Sequence, residues 1–64
     1  MEGLQRIRVF TNESGSDEEL YTLDELWLLE DRSPSFFVVL GRSGADGTVR
    51  ILSLDRTFKF YVEG

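Results

Sequence analysis

Glu13, Asp17, Glu18, Glu19, Asp24, Glu25, Glu30 and Asp31 place eight carboxylates in one short stretch that contains no Lys or Arg. Carboxylates crowded in this way can share a proton across a cleft, hold a hard cation, or present a negative field to a charged partner. Their spacing decides between these. The acid–base pairs of glycosidases oppose one another across several ångströms, whereas Asp17, Glu18 and Glu19 are sequence neighbours, as are Asp24 and Glu25. A calcium loop alternates its oxygen ligands along the chain, and NESGSDEE does not follow that pattern. The field remains. Clustered charge raises association rates and sets specificity more than affinity.

The expected partner is therefore a protein with a basic surface. The expected contact set is Glu13, Asp17, Glu18, Tyr21, Asp24, Glu25 and Asp31, with Tyr21 as the aromatic anchor. In a small acidic protein such a run can also imitate nucleic-acid phosphates and occupy a nucleic-acid-handling protein, as an inhibitor or regulator does. The plainer alternative is a solvated helix face whose first-turn acids favour the helix dipole. An exposed helix normally gains roughly 0.2–0.5 kcal/mol from each Glu–Lys pair four residues apart, and this segment forgoes all of them.

A second set carries the opposite charge. Arg6, Arg8, Phe10, Lys59 and Tyr61 interleave cations with aromatic rings on two alternating segments. That is the logic of single-strand nucleic-acid platforms, where bases stack and phosphates pair. The net charge of −5 opposes this reading. A plain polar sheet face with cross-strand charge pairs competes with it.

Enzymatic chemistry finds little support. The chain has no His and no Cys, so the usual neutral-pH base, thiol nucleophile and zinc ligands are missing. GRSGADG has a Ser two residues after a Gly but no partner base, and it lacks the Gly-Lys-Ser/Thr ending of a phosphate loop. The expectation is a non-enzyme without cofactor or metal.

The elements that must position these residues follow from periodicity. LQRIRVFT (4–11) alternates, with Ile7 and Val9 on one side and Arg6, Arg8 and Phe10 on the other, and reads as a strand. Ser16 stands three residues before Glu19 at capping-box spacing, and Leu20, Leu23 and Trp27 recur at helical spacing with Leu26 beside them. The pattern predicts a helix over about 17–30, stopped before Pro34. LWLL is ambiguous by period, so a strand over 22–30 stays open. SFFVVLG (35–41) reads as a buried strand, Asp46-Gly47 as a hairpin turn, and TVRILSL (48–54) and TFKFYVE (57–63) as two further strands.

The predicted fold is α+β. A four-stranded antiparallel sheet in β-α-β-β-β order carries one helix on one face, and the last three strands form a meander. Sixty-four residues make a single domain, 1–64, with a marginal core. No apolar run approaches a membrane span, and MEGLQRIRVF lacks a secretory core, so the expectation is a cytoplasmic protein. The small core leaves open self-association, or a role as a small structural subunit whose exposed sheet or edge strand completes a larger complex.

Two stretches invite comparison. SGADGTVRILSLD looks like the hairpin of a WD-type propeller repeat, but a lone blade cannot bury its faces, so the likeness implies shared hairpin chemistry. NESGSDEEL followed by FFVVLGRSGADGTVRIL is similar in layout to phage uracil-DNA glycosylase inhibitors. That resemblance implies a viral nucleic-acid mimic acting on a DNA-handling enzyme.

Overall fold

The computed structural model describes residues 3–12, 19 and 25–64. Five strands run through it: β1 (Gln5–Thr11), β2 (Glu25–Arg32), β3 (Phe36–Arg42), β4 (Val49–Asp55) and β5 (Phe58–Val62). All pair antiparallel in one sheet of order β4-β3-β2-β1-β5.

The predicted α+β class is therefore corrected: the described residues form an all-β fold with five strands and no helix. Residues 25–30 of the expected helix belong to β2, while 17, 18 and 20–24 lie outside the described residues. Glu19 forms an isolated antiparallel bridge to Phe10. The reason is burial on both faces of β2. Leu26 turns into the core, Trp27 is buried on the other face, and a bulge between Leu28 and Glu30 shifts the register. A central strand with apolar residues at both parities loses its two-residue period and mimics a helical cluster.

The meander is corrected as well. β3 and β4 form the expected hairpin, but β5 pairs with β1 rather than β4. The reversal between β4 and β5 explains this. Asp55 accepts hydrogen bonds from the Thr57 backbone N–H at 2.9 Å and the Thr57 hydroxyl at 2.6 Å, a side-chain-mimicked turn. The Thr57 carbonyl then accepts from the Asn12 backbone N–H at 2.8 Å, and the Arg56 carbonyl accepts from Asn12 Nδ2 at 3.3 Å. The chain is thereby captured at the end of β1. β4 and β5 occupy opposite edges of the sheet yet are joined by two residues, so the sheet curls into a partly open barrel.

The core lies inside that curl. Ile7, Val9, Leu26, Phe37 and Val39 are buried, with Leu28, Leu52, Leu54, Phe58 and Phe60 packed against them. Phe37 and Phe60 meet in a tilted pair with centroids 4.8 Å apart. Ile7 and Val9 face inward while Arg6, Arg8 and Phe10 face out, as their alternation predicts. The β3–β4 turn also follows expectation. Gly47 adopts φ +74°, its N–H donates to the Ser43 carbonyl at 2.8 Å, and the Thr48 N–H donates to Asp46 at 2.9 Å.

Two substitutions separate core packing from backbone conformation. Phe37→Ala removes about 3–5 kcal/mol, comparable to the whole stability of roughly 3–5 kcal/mol that a core of this size supplies, and yields an unfolded chain at 25 °C by far-UV circular dichroism. Gly47→Ala meets no atom within 4 Å but must hold a left-handed φ, costing about 1–2 kcal/mol. It remains folded with a lowered urea midpoint.

Candidate functional site

β1 and β5 pair along five residues, with Arg8 opposite Tyr61 and Phe10 opposite Lys59. Paired residues on adjacent strands project to the same side, so these four side chains form one outer patch. Phe10 and Tyr61 meet edge to face with centroids 5.6 Å apart. The Arg8 guanidinium lies 5.3 Å from the Phe10 centroid, and the Lys59 ammonium 6.0 Å from that of Tyr61. Tyr61 is 57 % exposed, so its ring is presented rather than stored. The five residues singled out for a basic, aromatic face are thus gathered together, with Arg6 at one end beside Tyr61 and Glu63.

The cations are nevertheless engaged by carboxylates. Arg8 makes a two-pronged contact with Glu19, Nε to Oε1 at 2.7 Å and Nη2 to Oε2 at 2.9 Å. This fork-to-fork geometry is the most directional form of the pair. The Arg8 hydrogen bonds hold the Glu19 carboxyl below the usual carboxylate range, outweighing the opposing effect of desolvation. Arg6 lies 3.4 Å from Glu25, and its Nε lies 3.5 Å from Glu63. The latter distance is within ion-pair range, but Nε is buried and makes no hydrogen bond.

A neighbouring assembly sits on the same outer side. Trp27 is only 4 % exposed, yet it lies outside the main core cluster. Its ring is flanked by the guanidinia of Arg6 and Arg42, 5.5 and 5.3 Å from its centroid. Glu25 binds both cations, with Arg42 Nη2 at 2.6 Å and Arg42 Nε at 2.9 Å donating to Oε1. The Arg42 hydrogen bonds lead in pushing the Glu25 carboxyl below its ordinary value. Helical spacing groups Trp27 with Leu20 and Leu23 and gives no sign of this clamp. The signal lies in the alternation Arg6-Ile7-Arg8, once β2 is read as the strand beside it.

The predicted acidic contact set divides among separate places. Glu13, Asp17, Glu18, Tyr21 and Asp24 lie outside the described residues. Glu25 begins β2 and forms the arginine clamp. Asp31 is near the other end of the strand, six residues and about 20 Å away along an extended chain. Its carboxylate accepts from the Ser33 hydroxyl at 2.5 Å and the Ser33 N–H at 3.0 Å, which holds the β2–β3 turn and lowers its proton affinity.

Arg6, Arg8, Arg42 and Lys59 against Glu19, Glu25 and Glu63 give four positive and three negative charges, a balance of +1. The patch is thus nearly neutral, with the half-buried Phe10 and the exposed Tyr61 ring at its centre. No cluster of potential metal ligands occurs among the described residues. No protein-family model matches the chain, and neither the curated proteins nor the solved structures provide a match.

The clamp has a pH signature. Glu25 has a lowered folded-state pKa, so the unfolded chain takes up its proton first as pH falls, and the clamp's contribution declines on acidification. Glu25→Gln should lower the urea midpoint, followed by Trp27 fluorescence, at pH 7. The difference from wild type should shrink below about pH 4, where the unfolded-state carboxyl protonates, and vanish near pH 2. An equal difference at both extremes would exclude a charge-based role for Glu25.

Proposed function

We propose that this chain is a protein-binding module that docks a basic partner through the carboxylates linking β1 to β2. The carrying observation is the charge of that link. Residues 12–24 contain Glu13, Asp17, Glu18, Glu19 and Asp24 and no Lys or Arg. Nothing within the link can neutralise them. Arg8 of β1 holds Glu19 of the link itself, which leaves Glu13, Asp17, Glu18 and Asp24 without a Lys or Arg in their own segment; Arg42 holds Glu25, and Arg6 lies between Glu25 and Glu63. Lysines or arginines from a partner would complement the excess, raise the association rate and fix the docking register.

The Arg8–Glu19 pair supplies the geometry. It fixes one point of the link beside Phe10 and the exposed Tyr61 ring. An approaching basic surface would meet carboxylates and an aromatic anchor together, the combination that concentrates binding energy at interfaces. The acidic surface in this reading is the segment that joins β1 to β2 of the five-stranded sheet.

A second reading rests on the assembled Arg8, Phe10, Lys59 and Tyr61 patch, which has the side chains of a single-strand platform. Its balance of +1 is a thin footprint for a polyanion, and the acidic link adjoins it. The protein partner is therefore preferred.

The test is capture from a lysate on the immobilised chain, eluted in salt steps, beside a variant carrying Glu13→Gln, Glu18→Gln and Asp24→Asn. The expected result is a basic protein released at moderate salt and retained at least tenfold less by the variant. Glu25 is left intact so that the arginine clamp is preserved. Equal capture by a folded variant would overturn the proposal. Fluorescence anisotropy with a labelled single-stranded oligonucleotide decides the second reading: binding lost in Tyr61→Ala would favour it, and no binding would remove it.

A further inference from the structure

From the edge opposite this patch, we infer that β4 is a self-association edge, pairing antiparallel with β4 of a second copy about a twofold axis at Ile51. β4 has one paired side, towards β3, and its other side meets no strand among the described residues. An open edge presents a row of backbone donors and acceptors, and monomeric proteins usually blunt it with Lys, Pro, a bulge or a cover. VRILSLD has no Lys and no Pro, its charges being Arg50 and Asp55 on either side of Ile51-Leu52-Ser53-Leu54, and its pairing with β3 is regular over all seven residues. Ile51 is 66 % exposed and Val49 50 % exposed.

The cross-strand register identifies a second copy as the occupant. Trp27 pairs with Leu40, and Leu40 pairs with Ile51. The outer face thus carries an apolar row that is buried at Trp27 and Leu40 and runs out to solvent at Ile51. A twofold at Ile51 continues the row as Ile51 against Ile51 of the second copy, followed by its Leu40 and Trp27. Val49 then opposes Ser53 of the second copy. A twofold at Leu52 would set Val49 against Asp55 and Ile51 against Ser53, and one at Ser53 would set Ile51 against Asp55. Each matches an apolar side chain with a polar or charged one, the weaker cross-strand pairing. The twofold at Ile51 shares such a mismatch at Val49–Ser53, but of the three it alone sets Ile51, the most exposed of these side chains, against an apolar partner. The one like-charge approach in the preferred register is Arg50 near its own copy, on a diagonal of about 7–8 Å, exposed and screened by salt. Leu29 and Phe36, 39 % and 37 % exposed, extend the apolar surface on the same outer side.

Sedimentation of the full chain tests the pairing. The 7.4 kDa chain is expected to approach twice that mass between about 10 µM and 1 mM, with no weakening in high salt because the interface is apolar and backbone-bonded. Ile51→Lys should remain monomeric over the same range with unchanged far-UV circular dichroism. A wild-type chain monomeric at the highest concentration would overturn the inference, including the case in which a different protein covers this edge. Persistence of the dimer in Ile51→Lys would overturn it too.

Single cysteines test the register in case the lysine variant does not fold. The chain has no Cys of its own. Under mild oxidation Ile51→Cys should form an interchain disulfide, because cysteines at the axis fall within bonding reach. Ser53→Cys should remain uncrosslinked, its counterpart lying two residues beyond the axis on the other copy. The reverse pattern would overturn the twofold at Ile51.

Discussion

The architecture depends on one long-range closure, the pairing of β5 with β1. Residues 7–11 meet residues 58–62, so nearly the whole chain must be looped before this ladder forms. Loop-closure entropy grows slowly with length, but it is met before the contacts that repay it, which makes such topologies slow to fold. β1 is tied to β2 through only Gln5–Leu28 and Arg6–Trp27. β5 therefore provides most of the partnering that keeps β1, with core residues Ile7 and Val9, in the sheet. Asn12 secures the closure by binding the carbonyls of Arg56 and Thr57 at the corner where the sheet curls back on itself.

The same pairing organises the outer face. Across the strands one row reads Glu63, Arg6, Trp27, Leu40, Ile51. It passes from a charged pair at one edge to an exposed aliphatic side chain at the other. Trp27 marks the change. Its ring is too large to leave in water on the second face of a thin sheet, and the guanidinia of Arg6 and Arg42 cover it while their charges are held by Glu25. Arginine suits this task because its planar, weakly hydrated head stacks on aromatic faces and still accepts a carboxylate. The clamp stores a large side chain outside the core and neutralises the charges that cover it.

The strand alternations were legible in the sequence because their two faces differ. Ile7 and Val9 against Arg6, Arg8 and Phe10 define a strand with one wet side, and Asp46-Gly47 marks the β3–β4 hairpin through the left-handed φ at Gly47. The assembly of Arg8, Phe10, Lys59 and Tyr61 was legible for the same reason. β2 was legible only as the strand left open over 22–30 beside the expected helix, because Leu26, Trp27, Leu28 and Leu29 are apolar at both parities and the bulge interrupts the register. The partner of β5 was hidden as well. A short link such as Arg56-Thr57 normally implies a hairpin, and the hydrogen bonds that Asp55 accepts and Asn12 donates redirect the chain to β1. Glu25 looked like one member of an acidic run because its two arginines lie on other strands.

β3 and β2 separate β4 from β1 in the sheet, so pairing at the β4 edge does not use the strand that anchors Glu19. This has an energetic consequence for so small a protein. Pairing of β4 would bury Ile51 and Val49 and satisfy an open ladder, coupling a marginal core to protomer concentration. It would also place two acidic β1–β2 links on one particle. A partner with two basic sites would then bind the second link as an intramolecular event, at an effective concentration set by the geometry of the dimer. Weak, salt-sensitive attraction at each link would sum to a tighter engagement without any new contact. In such a particle the apolar edge governs how many links are presented, and the carboxylates govern which partner is met.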